Sequence, residues 1–378
     1  MRATGGGTRP LESLAARLRE RFVAHRVVLT DSGTTALRLA IRSLAEPADR
    51  LVALPAFSCY DLVTAAVGAD ARVVLYDLDP LTLAPDPASF EAALRAGVRA
   101  AVVAPLYGIP VDWPDLSARA DRHGAMLIED AAQGHGTLLH GRPLGSLGTV
   151  SVLSFGRGKG WTGSGGGALL WREPGPEPEA DGAPSGVASV RAAALALAQA
   201  WLARPRLYWL PATLPGAGLG ETRYRPPGPI RGMRSFQAAL LLETERDADE
   251  EAHVRRTHGA ELAAALAERP EAAVPVPPTG STPGYLRFPV LVPGGAATLG
   301  AGDEAARLGV APSYPMPLGH LPALRGRLVD AGVGWPGAER LARDLLTLPT
   351  HGLVSAGERQ RVVELIASRG RRMAGAVP

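Results

Sequence analysis

Over the first 170 residues, apolar runs of strand length alternate with segments of helical period, and no other feature limits the fold as strongly. The runs are Val27–Thr30, Leu51–Leu54, Arg72–Tyr76, Ala100–Ala104, Ala125–Ile128, Ser151–Phe155 and Ala168–Trp171. Several are continuous and rich in Val and Leu, as expected of strands buried on both faces. Between them, Thr34–Leu44, Pro87–Ala96 and Asp115–His123 read as helices. Strand, helix, strand repeated in this way predicts an α/β domain around a mostly parallel, seven-stranded sheet.

The rest of the chain changes character. Glu173–Ser185 is rich in Pro, Gly and acidic residues and reads as a solvated loop. Pro205–Pro229 is irregular, and the cluster of Trp201, Tyr208 and Trp209 reads as core or subunit interface. Ser235–Glu268 is helical throughout and long enough to bridge two domains. Beyond it a short strand, Tyr285–Val292, is followed by helices Pro336–Leu346 and Ala356–Ser368, the pattern of a smaller α+β unit. A chain of 378 residues exceeds one ordinary core. The expected division is 1–234 for the large domain, and 235–378 for the bridging helix and small domain.

Composition excludes several function classes. Forty Lys and Arg face 37 Asp and Glu, interspersed along the chain, so no basic run marks a nucleic-acid footprint. The most apolar segment, Ala192–Ala203, is shorter than the roughly 20 residues a membrane span needs. With no signal-like start, the default expectation is a cytoplasmic protein without a membrane partner. The single cysteine, Cys59, allows no intrachain disulfide, and the eight histidines lack metal-ligand spacing, so no metal site is expected. His135 and His351 stand as cleft residues or as ordinary structural ones, and Arg287 reads as a surface strand arginine in preference to one that meets a substrate carboxylate.

The chain contains one lysine, Lys159; every other basic residue of the Lys and Arg total is arginine. A guanidinium stays protonated and forms no covalent bond with a carbonyl, whereas a deprotonated amine does. A lone lysine in an arginine background therefore points to amine chemistry, with chance retention as the plain alternative. Its surroundings decide between them.

Three segments carry chemistry. Asp31-Ser32-Gly33-Thr34-Thr35 stands where a strand ends and a helix begins, which makes either a phosphate cradle or a simple helix cap. Met126–Gln133 ends an apolar strand in Glu129-Asp130, where α/β sheets place ligands; a carboxylate there is placed either to pair a protonated ring nitrogen or to cap a helix. Ser154-Phe155-Gly156-Arg157-Gly158-Lys159 delivers a serine, a flexible turn and the lysine. It is not a nucleotide P-loop, which requires Gly six residues before the Lys and Ser or Thr after it; Leu153 and Gly160 occupy those positions.

In this order the segments resemble the DegT/DnrJ/EryC1/StrS aminotransferases. Ser32–Leu37 resembles the family's SGT-x-AL helix start, Pro55–Ser58 its P-x-F-T loop, and Asp77–Pro80 its D-x-D-P element. Ile128–Gln133 with His135-Gly136 resembles IEDAAQ-x-HG, and Ser154-Phe155 with Lys159 resembles S-F-x-x-x-K. Phe236–Ala239 resembles IQAA and Leu348–His351 resembles LPLH. The resemblance covers nearly the whole chain. It implies a fold-type I pyridoxal-phosphate transferase that moves an amino group from glutamate or glutamine to a keto acceptor such as a nucleotide-linked sugar, as a homodimer.

It also implies roles. Lys159 would hold the cofactor covalently and move the proton, and Asp130 would keep the pyridine nitrogen protonated. Gln133 would lie near the phenolic oxygen. Gly33, Thr34 and Ser154 would take the phosphate with Thr35 close by. The chain departs from the family pattern twice. The ring that usually stacks on the cofactor is replaced by Cys59, with Tyr60 beside it. The phosphate-binding Asn expected from a neighbouring subunit aligns with Ile230, where Arg231 or Arg234 could substitute. Two other readings remain: dehydration on the same scaffold, which family members perform with His in place of Lys159, or a catalytically silent relative that acts as a binding partner, for which Cys59 and Ile230 leave room. The loops expected to contact the acceptor are Pro205–Pro229 and Tyr314–Leu321.

Overall fold

The computed structural model describes residues 9–44, 50–174, 223–298, 303–330 and 332–374. The expected loop beyond Pro174, the apolar run Ala192–Ala203 and the Trp201, Tyr208 and Trp209 cluster lie outside the described residues.

The first nine strands are β1 (Arg26–Thr30), β2 (Leu51–Pro55), β3 (Arg72–Tyr76), β4 (Ala100–Val103), β5 (Met126–Asp130), β6 (Leu138–Leu139), β7 (Arg142–Pro143), β8 (Val150–Ser154) and β9 (Gly167–Trp171). After them come β10 (Ser281–Thr282), β11 (Phe288–Leu291), β12 (Ala311–Pro312), β13 (Leu328–Val329) and β14 (Leu345–Leu348). The longer helices are α1 (Arg9–Arg21), α2 (Gly33–Leu44), α3 (Asp61–Gly68), α4 (Pro87–Arg95), α5 (Trp113–Arg122), α6 (Ser235–Ala267), α7 (Pro336–Asp344) and α8 (Ala356–Ala374).

The main sheet runs β1-β9-β8-β5-β4-β2-β3-β13. It contains the seven expected strands and one more: β13, from the C-terminal part, pairs parallel with β3. The block from β8 to β3 is parallel, while β9 runs antiparallel to both β8 and β1. Every residue of β2, β4 and β9 is buried, which is why these strands read as unbroken apolar runs.

Helix starts follow local chemistry. The Asp86 carboxylate accepts from Ser89 N at 2.8 Å, with Pro87 opening α4. Asp112 does the same for α5, which therefore starts at Trp113, before the expected Asp115. α7 ends at Asp344, short of the expected Leu346, because Leu345 onward switches to extended backbone and enters a second sheet, β11-β14-β12. Strand pairing there buries all four β14 residues, and the local helical pattern yields to it. A third sheet, β10-β6-β7, is built from two-residue strands too short to show a period.

α6 spans 33 residues, about 50 Å of helix. Near its start, Ala238 and Leu241 pack with Leu14, Leu18, Phe22 and Trp161. Near its end, Leu262 and Leu266 pack with Phe288, Val290, Leu346 and Ile366. It thus bridges two separate cores. Among the described residues no helix is long and apolar enough to cross a membrane.

The C-terminal part is tied to the main sheet by one buried acid. Asp77, at the end of β3, accepts from Gly337 N and Ala338 N, each at 2.7 Å. These are first-turn amides of α7, which lack an intrahelical acceptor and favour negative charge. Asp77→Ala should lower stability by about 2 kcal/mol. The expected readout is a lower urea midpoint at unchanged slope; an unmoved midpoint would contradict this role for the carboxylate.

Candidate active site

The carboxyl ends of β1, β5 and β8 meet at one cleft. β1 passes into α2 through Ser32-Gly33, where Ser32 Oγ accepts from Thr35 N at 3.1 Å and caps the helix. Thr35 Oγ1 donates to Asp31 Oδ1 at 2.6 Å. Space decides the residue types here. A Cβ on Gly33 would stand 2.6 Å from Ser154 Cβ, and one on Gly167 would stand 2.4 Å from the Ser32 carbonyl carbon. The helix start is therefore pressed against the end of β8 and the beginning of β9.

β5 ends in two acids with different work. Glu129 is fully buried and accepts from Gly145 N, Leu147 N, Gly148 N and Ser151 Oγ at 2.6–3.1 Å. It holds the loop that leads into β8. Asp130 points the other way, into the cleft, and accepts one hydrogen bond among the described residues, from Ala132 N at 3.0 Å. Burial pushes its carboxyl above the usual range; the Lys159 ammonium and the Ala132 amide pull it back down.

β8 delivers Ser154, and the turn after it delivers Lys159. Lys159 N donates to Gly156 O at 3.3 Å, and Gly163 N and Gly165 N both donate to Phe155 O. Trp161 fastens this loop to α6 through Nε1 to Leu241 O at 3.0 Å.

Gly33, Thr34, Cys59, Asp130, Gln133, Ser154 and Lys159 all line the inner cleft. Thr35 lines the wider outer part, a cavity of about 580 Å³ that also exposes Gly33, Ser154 and Lys159. Tyr60 is buried at the start of α3 and is not among the lining residues. Of the two arginines considered for the Ile230 position, Arg231 lines the outer cleft, whereas Arg234 stands at the start of α6. Ile230 itself is buried in the core. The segment carrying Arg231 lies across the cleft mouth: Arg231 O accepts from Asp31 N at 2.9 Å, and Gly228 O accepts from Arg38 Nη1 at 2.6 Å.

Other residues singled out in the sequence go elsewhere. His135 packs against Trp161, with Nε2 3.3 Å from Asp249 Oδ1. His351 does not line the cleft. Arg287 bonds Thr347 and Gly309 O, holding the small sheet together. Among the described residues no cluster of His, Cys, Asp and Glu is arranged to hold a metal.

Sequence reasoning missed Asp61, which lines both parts of the cleft, and the bonds by which Tyr107 and Tyr314 hold Gln133; the loop Tyr314–Leu321, expected to contact the acceptor, does not line the cleft. Asp61 opens α3, and an acid at a helix start was a signal already in the sequence. Tyr314 lies 181 positions from Gln133, so no local pattern could join them.

Comparison with known proteins agrees with this architecture. The sequence model of the DegT/DnrJ/EryC1/StrS aminotransferase family matches residues 6–181 and 216–367. An L-glutamine:2-deoxy-scyllo-inosose aminotransferase of Streptoalloteichus tenebrarius is 36% identical over 284 residues, 72% of this chain and 62% of that protein. The protein of the same name from Streptomyces lividus is 34% identical over 319 residues, covering 82% of this chain and 68% of its own length. The chain thus spans only about two thirds of the length of these curated relatives. The crystal structure of S. venezuelae DesV superposes with a TM-score of 0.74 at 27% identity, over 96% of this chain and 90% of that one.

Burial, with Asp61 nearby, pushes the Cys59 thiol up to about 12. At pH 8 only about one part in ten thousand would be thiolate, the reactive form. Iodoacetamide should therefore label the folded protein very slowly at pH 8 and the urea-unfolded chain at the ordinary rate. Equal rates would show that the cleft does not suppress the thiolate.

Proposed function

Because this chain belongs to the DegT/DnrJ/EryC1/StrS aminotransferase family, we propose that it transfers an amino group from L-glutamine or glutamate to a ring ketone, with pyridoxal phosphate as cofactor. The observation that carries this reading is the convergence of the lone Lys159 with Asp130 and the Ser32–Thr35 helix start in one cleft. The donor and acceptor classes come from the relatives, whose names specify L-glutamine and an inosose, a ketone of a polyhydroxylated ring. A nucleotide-linked keto sugar is the alternative acceptor of the same chemistry.

The residues suit the cofactor group by group. Asp130 offers a buried carboxylate with one hydrogen bond among the described residues, which leaves it able to pair a protonated ring nitrogen. Such a cationic partner would relieve the cost of burying the acid. Lys159 offers the amine. The α2 start, Ser154 and Arg231 offer amides, a hydroxyl and a guanidinium to a phosphate. Arg157 and Arg225 line the same outer part.

Pyridoxal phosphate, when bound, supplies an electron sink for the substrate carbon that loses its proton. This chain's residues do the rest. Lys159 Nζ would hold the cofactor covalently, give way to the donor's amine, and then move the proton from the donor's Cα as a general base. Asp130 would keep the ring nitrogen protonated. Gln133 would donate an N–H toward the phenolic oxygen. Cys59 would stand where relatives carry a stacking ring. A homodimer is the expected assembly, and sedimentation or light scattering would test it.

The presence of Lys159 weighs against dehydration, and the intact Lys159 and Asp130 pair weighs against a silent binding role. The deciding experiment is absorbance of the purified protein with pyridoxal phosphate, before and after adding L-glutamine, beside Lys159→Ala. The expected wild-type result is a band that borohydride fixes onto Lys159 and that glutamine converts to the amine form of the cofactor. Lys159→Ala should lack the fixable band and lose turnover by at least about a thousandfold. No band in the wild type at any cofactor concentration would overturn the proposal. Asp130→Ala should bind the cofactor but convert it far more slowly, measured by the same spectrum in single turnover.

A further inference from the structure

The Gln133 side chain is held at both ends of its amide. Oε1 accepts from the backbone N–H of Tyr107 at 2.8 Å. A backbone N–H can only donate, so this contact identifies the oxygen end without ambiguity. Nε2 then donates to the Tyr314 hydroxyl at 2.9 Å. An amide nitrogen carries two N–H groups. One is used on Tyr314; the other remains, on a side chain that lines the inner cleft.

The holder is itself braced. Tyr107 has φ 56 and ψ 17, the left-handed conformation that a tyrosine adopts at a cost. Three contacts keep it there. Its carbonyl accepts from Leu286 N at 2.9 Å, its hydroxyl bonds Ser313 Oγ, and its ring stacks on Tyr314 at 6.4 Å and 21°. Phe57 meets the Tyr314 ring edge-on at 5.4 Å. Tyr314 is not among the residues lining the cleft; it stands behind Gln133. Ser313 and Tyr314 belong to the C-terminal part, whereas Tyr107 and Gln133 belong to loops of the main sheet.

We infer that Tyr314 is a positioning residue: it fixes the Gln133 amide so that the remaining N–H is presented to the cleft, and thereby sets the charge balance at the phenolic oxygen of the cofactor. The inference rests on the pyridoxal-phosphate reading above. A fixed donor at that oxygen stabilises its negative charge and favours loss of the bound chromophore's exchangeable proton. Without the Tyr314 hydroxyl the amide keeps only its bond from Tyr107 N and swings about it, so the donor is misdirected part of the time.

The test is the pH titration of the visible absorbance of the cofactor-loaded protein, for wild type, Tyr314→Phe, Gln133→Ala and the double variant. Tyr314→Phe keeps the ring and its contacts with Tyr107 and Phe57, so fold and thermal midpoint should be nearly unchanged. Its titration midpoint should move upward by about 0.5–1 pH unit, the size of one hydrogen bond. Gln133→Ala should move it in the same direction, and the double variant should match Gln133→Ala alone, because both act through one N–H. Gln133→Glu, which replaces that donor with a carboxylate, should shift the midpoint upward even if Tyr314→Phe fails to fold. A Tyr314→Phe titration that overlays the wild type, shifts that add in the double variant, or a Gln133→Glu titration that overlays the wild type would each overturn the inference. A wild-type protein with no cofactor band at all would instead remove the reading on which it rests.

Discussion

A buried carboxylate with four donors organises the cleft edge of the sheet. Glu129 has no solvent exposure and accepts from three backbone amides of the 145–148 loop and from Ser151. Burying a charge without partners would cost far more than the fold could sustain, whereas charge-assisted bonds to fixed amides offset that cost. The consequence is geometric. β5 and β8 are locked side by side, so Asp130 and Ser154 leave them at the same edge, and the loop carrying Lys159 starts from a fixed point. Arg172, whose guanidinium also bonds Ser151 Oγ, adds a positive charge to the same core.

The cleft divides the chemistry between its two ends. The inner part holds the amine, a single buried acid and the braced amide of Gln133. The outer part is the start of α2 with the arginine-bearing segment lying across it. Lys159 lines both parts and so joins the buried acid of the inner part to the helix start and arginines of the outer part. Small residues permit this closeness. Side chains at Gly33 or Gly167 would push α2 off the strands and move its electropositive N-terminus away from Lys159.

Parts of the site depend on the C-terminal region. Asp77 caps α7 and β13 extends the main sheet, so that region is fastened to the far side of the sheet. On the near side, Ser313 and Tyr314 reach Tyr107 and Gln133. Gln133 is thus held directly by the C-terminal part, whereas the loop of Lys159 is anchored to α6 through Trp161.

The sequence by itself determined the strands of the parallel core, because strands buried on both faces read as near-continuous apolar runs, and it singled out Lys159, because one amine among arginines has no substitute. It also exposed Asp130, Ser154 and the helix start, since each sits at a strand end whose neighbours are legible within a few residues. Local pattern alone could not separate Glu129 from Asp130 in role. Both are acids at a strand terminus, and only alternation of side chains across the pleat, with the 145–148 loop on one face, sends one into the core and the other into the cleft. Nor could it reveal β13, the two-residue strands, the end of α7 or the Gln133–Tyr314 contact. Each depends on partners far away in the chain, and pairing energy gained at long range leaves no local period to read.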